Sequence, residues 1–362
     1  QTEPVSETEQ PTEAPTEAPT EAPDLLPVEV KVGMVFLGTE DEGNVLAQSL
    51  RRDLTEAALL AGVGEDQLIW KYNDREADWT QIEESILACV DEGCQLIFGG
   101  SREYEAVIAA IAEEYPDVMF ACVGGSLMNG TNSGTFDISL AAAQYLCGAA
   151  AAAASSSGRI GFLAAKDNTD EEVTAGVNAF AYGAWSVNPD VIVDVGITGR
   201  WYLPEAEEQG AGELAALGCD VIGGYTDGNA GAARAAADGH LVVAAGVENE
   251  EIYGGRAIAY ALYDWTEYFS LKLSQVIGRD ITGEAWAGDY YGGETVFALR
   301  DSALEEILAQ AADRLQQWNP NIEVEETEAE GQTEPAATQE ETEPETEPEE
   351  TIAPPEVDEE TD

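Results

Sequence analysis

The chain has 362 residues and sets 72 acidic side chains against 15 basic ones, a formal net charge of −57. A field of that sign excludes phosphate backbones and anionic lipid headgroups as natural partners. Five cysteines and one histidine, His240, offer no Cys/His zinc spacing, so neither a metal nor a cofactor is expected.

The N-terminal stretch repeats Thr-Glu-Ala-Pro three times between Thr12 and Pro23. Such a segment has too little apolar surface to offset chain entropy, so residues 1–27 are expected to form a disordered stalk. The first residue is Gln1 rather than Met, and an export signal with a lipid-modified cysteine, removed ahead of the stalk, is the expectation. Beyond the stalk, strand-like and helix-like runs alternate. Lys31–Leu37, Gln67–Tyr72, Gln95–Phe98 and Asp117–Val123 predict strands. Between them, helices are predicted from about Asn44 to Ala61, from Trp79 to Asp91 and from Arg102 to Glu114. Short β-branched or aromatic runs between longer amphipathic ones indicate βαβ units on a parallel sheet.

The pattern restarts after a Gly/Asn-rich crossing, Gly124 to Gly134. A helix from about Ile138 to Ala154 precedes strands at Arg159–Ala164, Val191–Val195, Asp220–Ile222 and Leu241–Ala245. Helices Glu171–Trp185, Glu205–Leu217 and Ala230–Asp238 alternate with them. A long helix is then predicted from about Gly254 to Ile277, and a last one from Ser302 to Trp318. The expected organisation is a first lobe of residues 28–128 plus about 246–288, and a second of 129–245 plus about 289–320. Residues 321–362 repeat Glu-Thr-Glu-Pro and are expected to be a disordered acidic tail. No apolar run is long enough to cross a bilayer.

Catalytic signatures are missing. No Gly-x-Ser-x-Gly elbow, phosphate-binding loop or Gly-x-Gly-x-x-Gly turn occurs, and His240 opens a strand. The chain therefore reads as a non-enzyme. Cys89 and Cys94 bracket a helix-to-strand turn; a disulfide there stays open beside the favoured reading of two small buried apolar residues.

Polar and aromatic residues gather after successive strands instead, where open αβ sheets place ligands. They are Gly38–Asn44, Gly99–Ser101, Gly124–Ser126, Gly199–Tyr202, Gly223–Asp227 and Gly246–Asn249. Glycines admit a ligand to the backbone, aromatics stack on a ring, and carboxylates accept from hydroxyls. Turns between strands and helices call for Gly and polar caps in any case; recurrence at strand end after strand end carries the argument.

Several stretches resemble the basic-membrane-protein, or PnrA-like, substrate-binding lipoproteins of ABC transporters, over about Val30 to Leu299. They are Ala112–Phe120, Gln144–Ala151, Gly158–Phe162, Asn188–Asp190, Gly199–Trp201 and Gly246–Glu248. The resemblance implies a type I periplasmic-binding-protein fold, with two doubly wound Rossmann-like lobes joined by a hinge. It also implies a lipid-anchored extracellular location and ligands of purine-nucleoside type. Asp41 and Asn44 match the family's first loop, whose stacking Phe this chain lacks. Trp201 stands where the family supplies a second aromatic, and Glu248 where it has an Asp that holds ribose hydroxyls. Tyr263 replaces the family's lysine.

The expected function is solute binding for an ABC importer. Two lobes would close on a small polar, ring-containing, nucleoside-like molecule. Trp201 and Tyr225 would stack on the ring. Asp41, Asn44, Asp227 and Glu248 would take its polar groups, with Ser101 and Tyr263 close by. The partners are then that ligand and a membrane permease, with no nucleic acid, and the protein is expected to be a monomer. A sensor domain reporting to a membrane partner is the alternative, and a nucleoside-processing enzyme a more distant one.

Overall fold

The computed structural model describes residues 28–39 and 43–316. The stalk, the acidic tail and Asp41 lie outside the described residues. Six strands of the first sheet, all parallel, run in the order β11-β5-β4-β3-β1-β2. They are β1 (Val32–Leu37), β2 (Leu68–Asn73), β3 (Leu96–Gly99), β4 (Met119–Val123), β5 (Ser133–Ile138) and β11 (Ala285–Gly288). Helices α1 (Val45–Leu60), α2 (Trp79–Asp91), α3 (Glu105–Glu114) and α9 (Thr266–Ile277) belong with this sheet. Caps set their starts: Asn44 Oδ1 accepts from the Ala47 amide at 2.8 Å, and Asp78 and Gln81 form a reciprocal capping box.

The second sheet repeats the plan, in the order β12-β10-β9-β8-β6-β7. Its strands are β6 (Arg159–Ala164), β7 (Ile192–Ile197), β8 (Val221–Tyr225), β9 (Leu241–Gly246), β10 (Ala257–Tyr263) and β12 (Thr295–Leu299). Here the edge strand β12 is antiparallel to β10. Helices α4 (Ala141–Ala154), α5 (Glu171–Val187), α6 (Pro204–Ala216), α7 (Ala230–Ala237), α8 (Glu250–Tyr253) and α10 (Glu305–Leu315) complete the lobe. Helices α4 and α5 touch backbone to backbone. A Cβ on Gly148 would lie 1.9 Å from the Phe180 carbonyl oxygen, and one on Gly183 would lie 1.8 Å from that of Tyr145.

The chain passes between sheets three times, after β5, after β10 and between β11 and β12. Hydrogen bonds tie these passages side by side. The Thr295 hydroxyl donates to the Ser139 carbonyl at 2.9 Å, the Ser139 amide to Gly288 at 3.0 Å, and the Asp264 amide to Glu294 at 2.8 Å. Trp265, fully buried, anchors the second passage on α1: its amide donates to Asp53 at 2.9 Å and its indole to Ser49 at 3.0 Å. Around it Phe98, Phe136, Tyr268 and Phe269 pack edge-on or stacked.

Three expectations are corrected. The long helix predicted from Gly254 is strand β10 followed by α9. The run Ala-Ile-Ala-Tyr-Ala-Leu-Tyr is buried along its whole length, and a continuous apolar run of that kind does not separate helix from buried strand by period. The Gly/Asn-rich crossing ends in β5, which belongs to the first sheet, so the lobe boundary falls near Ser139 rather than Met128. Asn132 makes that geometry: its buried amide donates to the carbonyls of Ala112, Tyr115 and Val118 at 2.7–3.0 Å. Likewise β10 and the residues back to Gly246 belong to the second lobe, not the first.

Candidate functional site

A cleft of about 630 Å³ opens where the C-terminal ends of the two sheets face each other. The first lobe supplies Asn44 before α1, the Arg75–Ala77 loop after β2, Gly100–Glu103 after β3, and Asp137 near the end of β5. The second lobe supplies Lys166 after β6, Asp170 and Glu172 at the start of α5, Arg200–Tyr202 after β7, Asp227 after β8 and Tyr263 at the end of β10.

Contacts bridge the two walls. Arg102 Nη2 lies 2.5 Å from Glu172 Oε2, and its guanidinium sits 5.0 Å from the centre of the Trp201 ring. Arg75 stacks on Tyr202 at 3.6 Å. The Val45 amide donates to the Asp227 carbonyl at 2.7 Å. Glu172 is gripped from its own lobe too, because the Tyr225 hydroxyl donates to Oε1 at 2.6 Å. Arg200 and Glu76, 3.6 Å apart, are mostly exposed and add little.

The enclosure shifts the ionisable groups. Burial, with Glu172 nearby, pushes both Asp137 and Asp227 up to about 7. Burial disfavours charge on Arg102, yet the Glu172 carboxylate more than offsets it and holds the guanidinium charged above its ordinary range. Tyr225 and Tyr263 are driven well above the phenol range, again by burial first and Glu172 second. Near neutrality, Asp137 and Asp227 can therefore donate or accept a hydrogen bond. Aromatic faces, a paired arginine and two such carboxyls suit a polar ring carrying donors and acceptors.

His240 precedes β9, at the end of the sheet opposite the cleft. All five cysteines are buried thiols. Among the described residues no cluster of three or more His, Cys, Asp or Glu could hold a metal.

Of the residues expected at the site, Asn44, Ser101, Trp201, Asp227 and Tyr263 line the cleft. Asn44 and Ser101 also serve as helix caps, Ser101 accepting from the Glu103 amide at 3.3 Å. Tyr225 is buried behind Trp201, ring centres 5.3 Å apart and edge to face, and reaches the cleft through Trp201 and Glu172 rather than lining it. Glu248 is a correction, because it is not among the lining residues. Gly246 ends β9 at φ +85°, pressed so closely against Val45 of the other lobe that a Cβ would stand 2.5 Å from Val45 Cγ2. The chain turns there, and Glu248 pairs with Arg300 outside the cleft.

Sequence reasoning passes over Arg75, Arg102, Lys166 and Glu172, and in the Gly199–Tyr202 loop it selects Trp201 but not Arg200 or Tyr202. A signal exists. Only 15 bases occur in the chain, and four of them follow a strand end by a few residues and line this one cleft. In so acidic a chain, cations at strand ends mark the place.

A family model described as ABC transporter substrate-binding protein, PnrA-like, matches residues 65–288. A Haloferax volcanii protein named as an ABC transporter glucose-binding protein is 27% identical over 265 residues, 70% of this chain and 62% of that one. A purine-binding protein of Brucella abortus is 28% identical over 202 residues, 56% of each chain. The chain thus spans about three-fifths of the length of these relatives. Among solved structures, an ABC transporter solute-binding protein from Conexibacter woesei aligns with a TM-score of 0.61 at 19% identity, covering 80% of this chain and 96% of that one. With the two sheets above, that likeness shows the type I periplasmic-binding-protein fold. No described helix is long and apolar enough to cross a membrane.

Proposed function

This chain belongs to the PnrA-like family of ABC transporter substrate-binding proteins, and from that premise we propose that its lobes close on one small polar solute with a purine-nucleoside-like ring. The solute is handed to a membrane permease, and the protein acts by binding alone, as a monomer. A lipid anchor holds it at the extracellular face of the membrane. The observation that carries this reading is the interlobe cleft itself. Its volume falls in the range of small-molecule sites, and its walls come from different lobes.

The mechanism follows from the three passages. They form a narrow hinge, so the lobes exchange between open and closed arrangements, and a ligand touching both walls favours the closed one. Trp201 offers its face to the ring. Asp137 and Asp227 take donors and acceptors on the solute. Arg102, held by Glu172, completes the closure from the first lobe. A purine-binding relative and a glucose-binding one bracket the ligand class: a ring with several hydroxyl or amino groups.

The test is native mass spectrometry of protein purified without added ligand, followed by release and identification of any bound molecule. Titration calorimetry with nucleosides, bases and hexoses follows. A nucleoside that saturates one site at micromolar concentration or tighter supports the reading. Saturation by a hexose alone would overturn the nucleoside part. No binding by any of these solutes would overturn the whole.

A further inference from the structure

The C-terminal end of α2 brings two cysteines together by its backbone geometry. Glu92 is the cap residue and Gly93 follows at φ +83°, in the left-handed region that glycine enters without strain. The Cys94 amide donates to the Cys89 carbonyl at 3.1 Å, and the Gly93 amide to the Val90 carbonyl at 2.9 Å. This is a Schellman ending, in which the side chains of the third-last helical residue and the second residue past the cap meet. Two apolar side chains commonly fill that contact. Here two thiols do.

Both sulfurs converge over Gly33 in β1. A Cβ there would stand 2.8 Å from Cys89 Sγ and 3.4 Å from Cys94 Sγ. Both residues are buried. The remaining cysteines are engaged elsewhere: Cys122 with the Ser101 carbonyl at 3.2 Å, Cys219 with Asp194 at 3.5 Å, and Cys147 within α4. Two lysines close over the same helix end. Lys31 Nζ donates to the Glu92 carbonyl at 2.9 Å, and Lys71 Nζ to Glu92 Oε1 at 2.5 Å.

We propose that Cys89 and Cys94 form an oxidisable dithiol that closes as an intramolecular disulfide, stapling the end of α2 to the start of β3. Cys94 is the attacking sulfur. The neighbouring Cys89 thiol holds Cys94 below the ordinary thiol range; burial and Glu92 oppose this, while Lys31 and Lys71 add to it. With glutathione disulfide as oxidant, the Cys94 thiolate attacks one of its sulfurs. The glutathione S–S bond breaks, and one glutathione leaves as a thiolate that takes up a proton. Cys89 then loses its proton to solvent and attacks the mixed disulfide at the Cys94 sulfur, releasing the second glutathione. Two protein thiols are oxidised and one glutathione disulfide is reduced. Strand β3 runs directly into Gly100–Arg102, so the staple fixes the strand that presents Arg102 to the cleft.

The experiment uses the full chain, refolded in buffer with an excess of glutathione disulfide over glutathione, or in excess reductant. Each sample is quenched in acid, denatured and alkylated, and its intact mass is measured. Three of the five cysteines are expected to take label after oxidising refolding, and all five after reduction. Cleavage after Glu92 separates Cys89 from Cys94, so in the oxidised sample the two peptides should stay joined only through sulfur. The Cys94→Ser variant should label at its four remaining cysteines under both conditions. Five labels after oxidising refolding would overturn the proposal, as would a linkage through Cys122, Cys147 or Cys219. The readout does not use the cleft, so this proposal and solute binding stand or fall separately.

Discussion

The two lobes share a plan and differ in chemistry. Each strand of the first sheet has a counterpart in the second, so that β3 matches β8, β2 matches β7 and β5 matches β10. At matched strand ends, however, the first lobe offers Arg102 where the second offers Asp227, and Arg75 where the second offers Trp201 and Tyr202. The position that is Asp137 in β5 has Tyr263 as its neighbour-in-kind in β10. Repetition therefore supplies the scaffold, while divergence at loop positions makes the walls complementary. Closure sets cation against aromatic and carboxylate across the cleft, a stronger pairing than either lobe could make with a copy of itself.

The comparison can be broken hardest in the second lobe's packing. Gly148→Ala drives a methyl into the Phe180 carbonyl of α5, which rigid helix backbones cannot avoid without separating. It is expected to cost about 3 kcal/mol or more, read as a lower denaturant midpoint. At the cleft, Trp201→Ala removes the face that Arg102 covers and should weaken solute binding about 10–100-fold in calorimetry. Unchanged affinity would remove Trp201 from the site.

The carboxyls come next. The folded-state values of Asp137 and Asp227, about 7, lie above the ordinary carboxylate range. The folded protein thus binds more protons than the unfolded chain between about pH 4 and pH 7. Stability present below that window is lost as pH rises through it, by up to about 4 kcal/mol for each group. The unfolding temperature of ligand-free protein should fall across the window, and Asp227→Asn should flatten the slope. An unchanged slope in that variant would show that Asp227 is not the titrating group.

Arg102→Ala removes the first lobe's hold on Glu172, and a half-exposed pair of this kind predicts a loss of about 3–10-fold in affinity. The scattering profile of the ligand-free variant should shift toward a more open form. Smallest is Glu248→Ala, expected to change affinity by less than about twofold, because Glu248 pairs with Arg300 away from the cleft. A large loss there would restore Glu248 to the site and undo the distinction between lining and peripheral loops.

Much of this protein is set locally. Alternating strand and helix patterns, Asn44 and Asp78 as caps, and polar residues at successive strand ends are properties of short segments, and they place the cleft at the right end of both sheets. Trp201 and Asp227 are legible for that reason. What tertiary structure alone decided is pairing. Whether Ala257–Tyr263 is strand or helix depends on the neighbours that bury both its faces, and which lobe owns Ser133–Ile138 depends on the two strands, β4 and β11, it pairs between. The Arg102–Glu172 contact joins residues 70 apart in sequence, on different lobes. Their attraction, and the desolvation that lifts Asp137 and Asp227, exist only once the walls meet, since a charge feels its partner's distance and its exclusion from water, not its place in the chain.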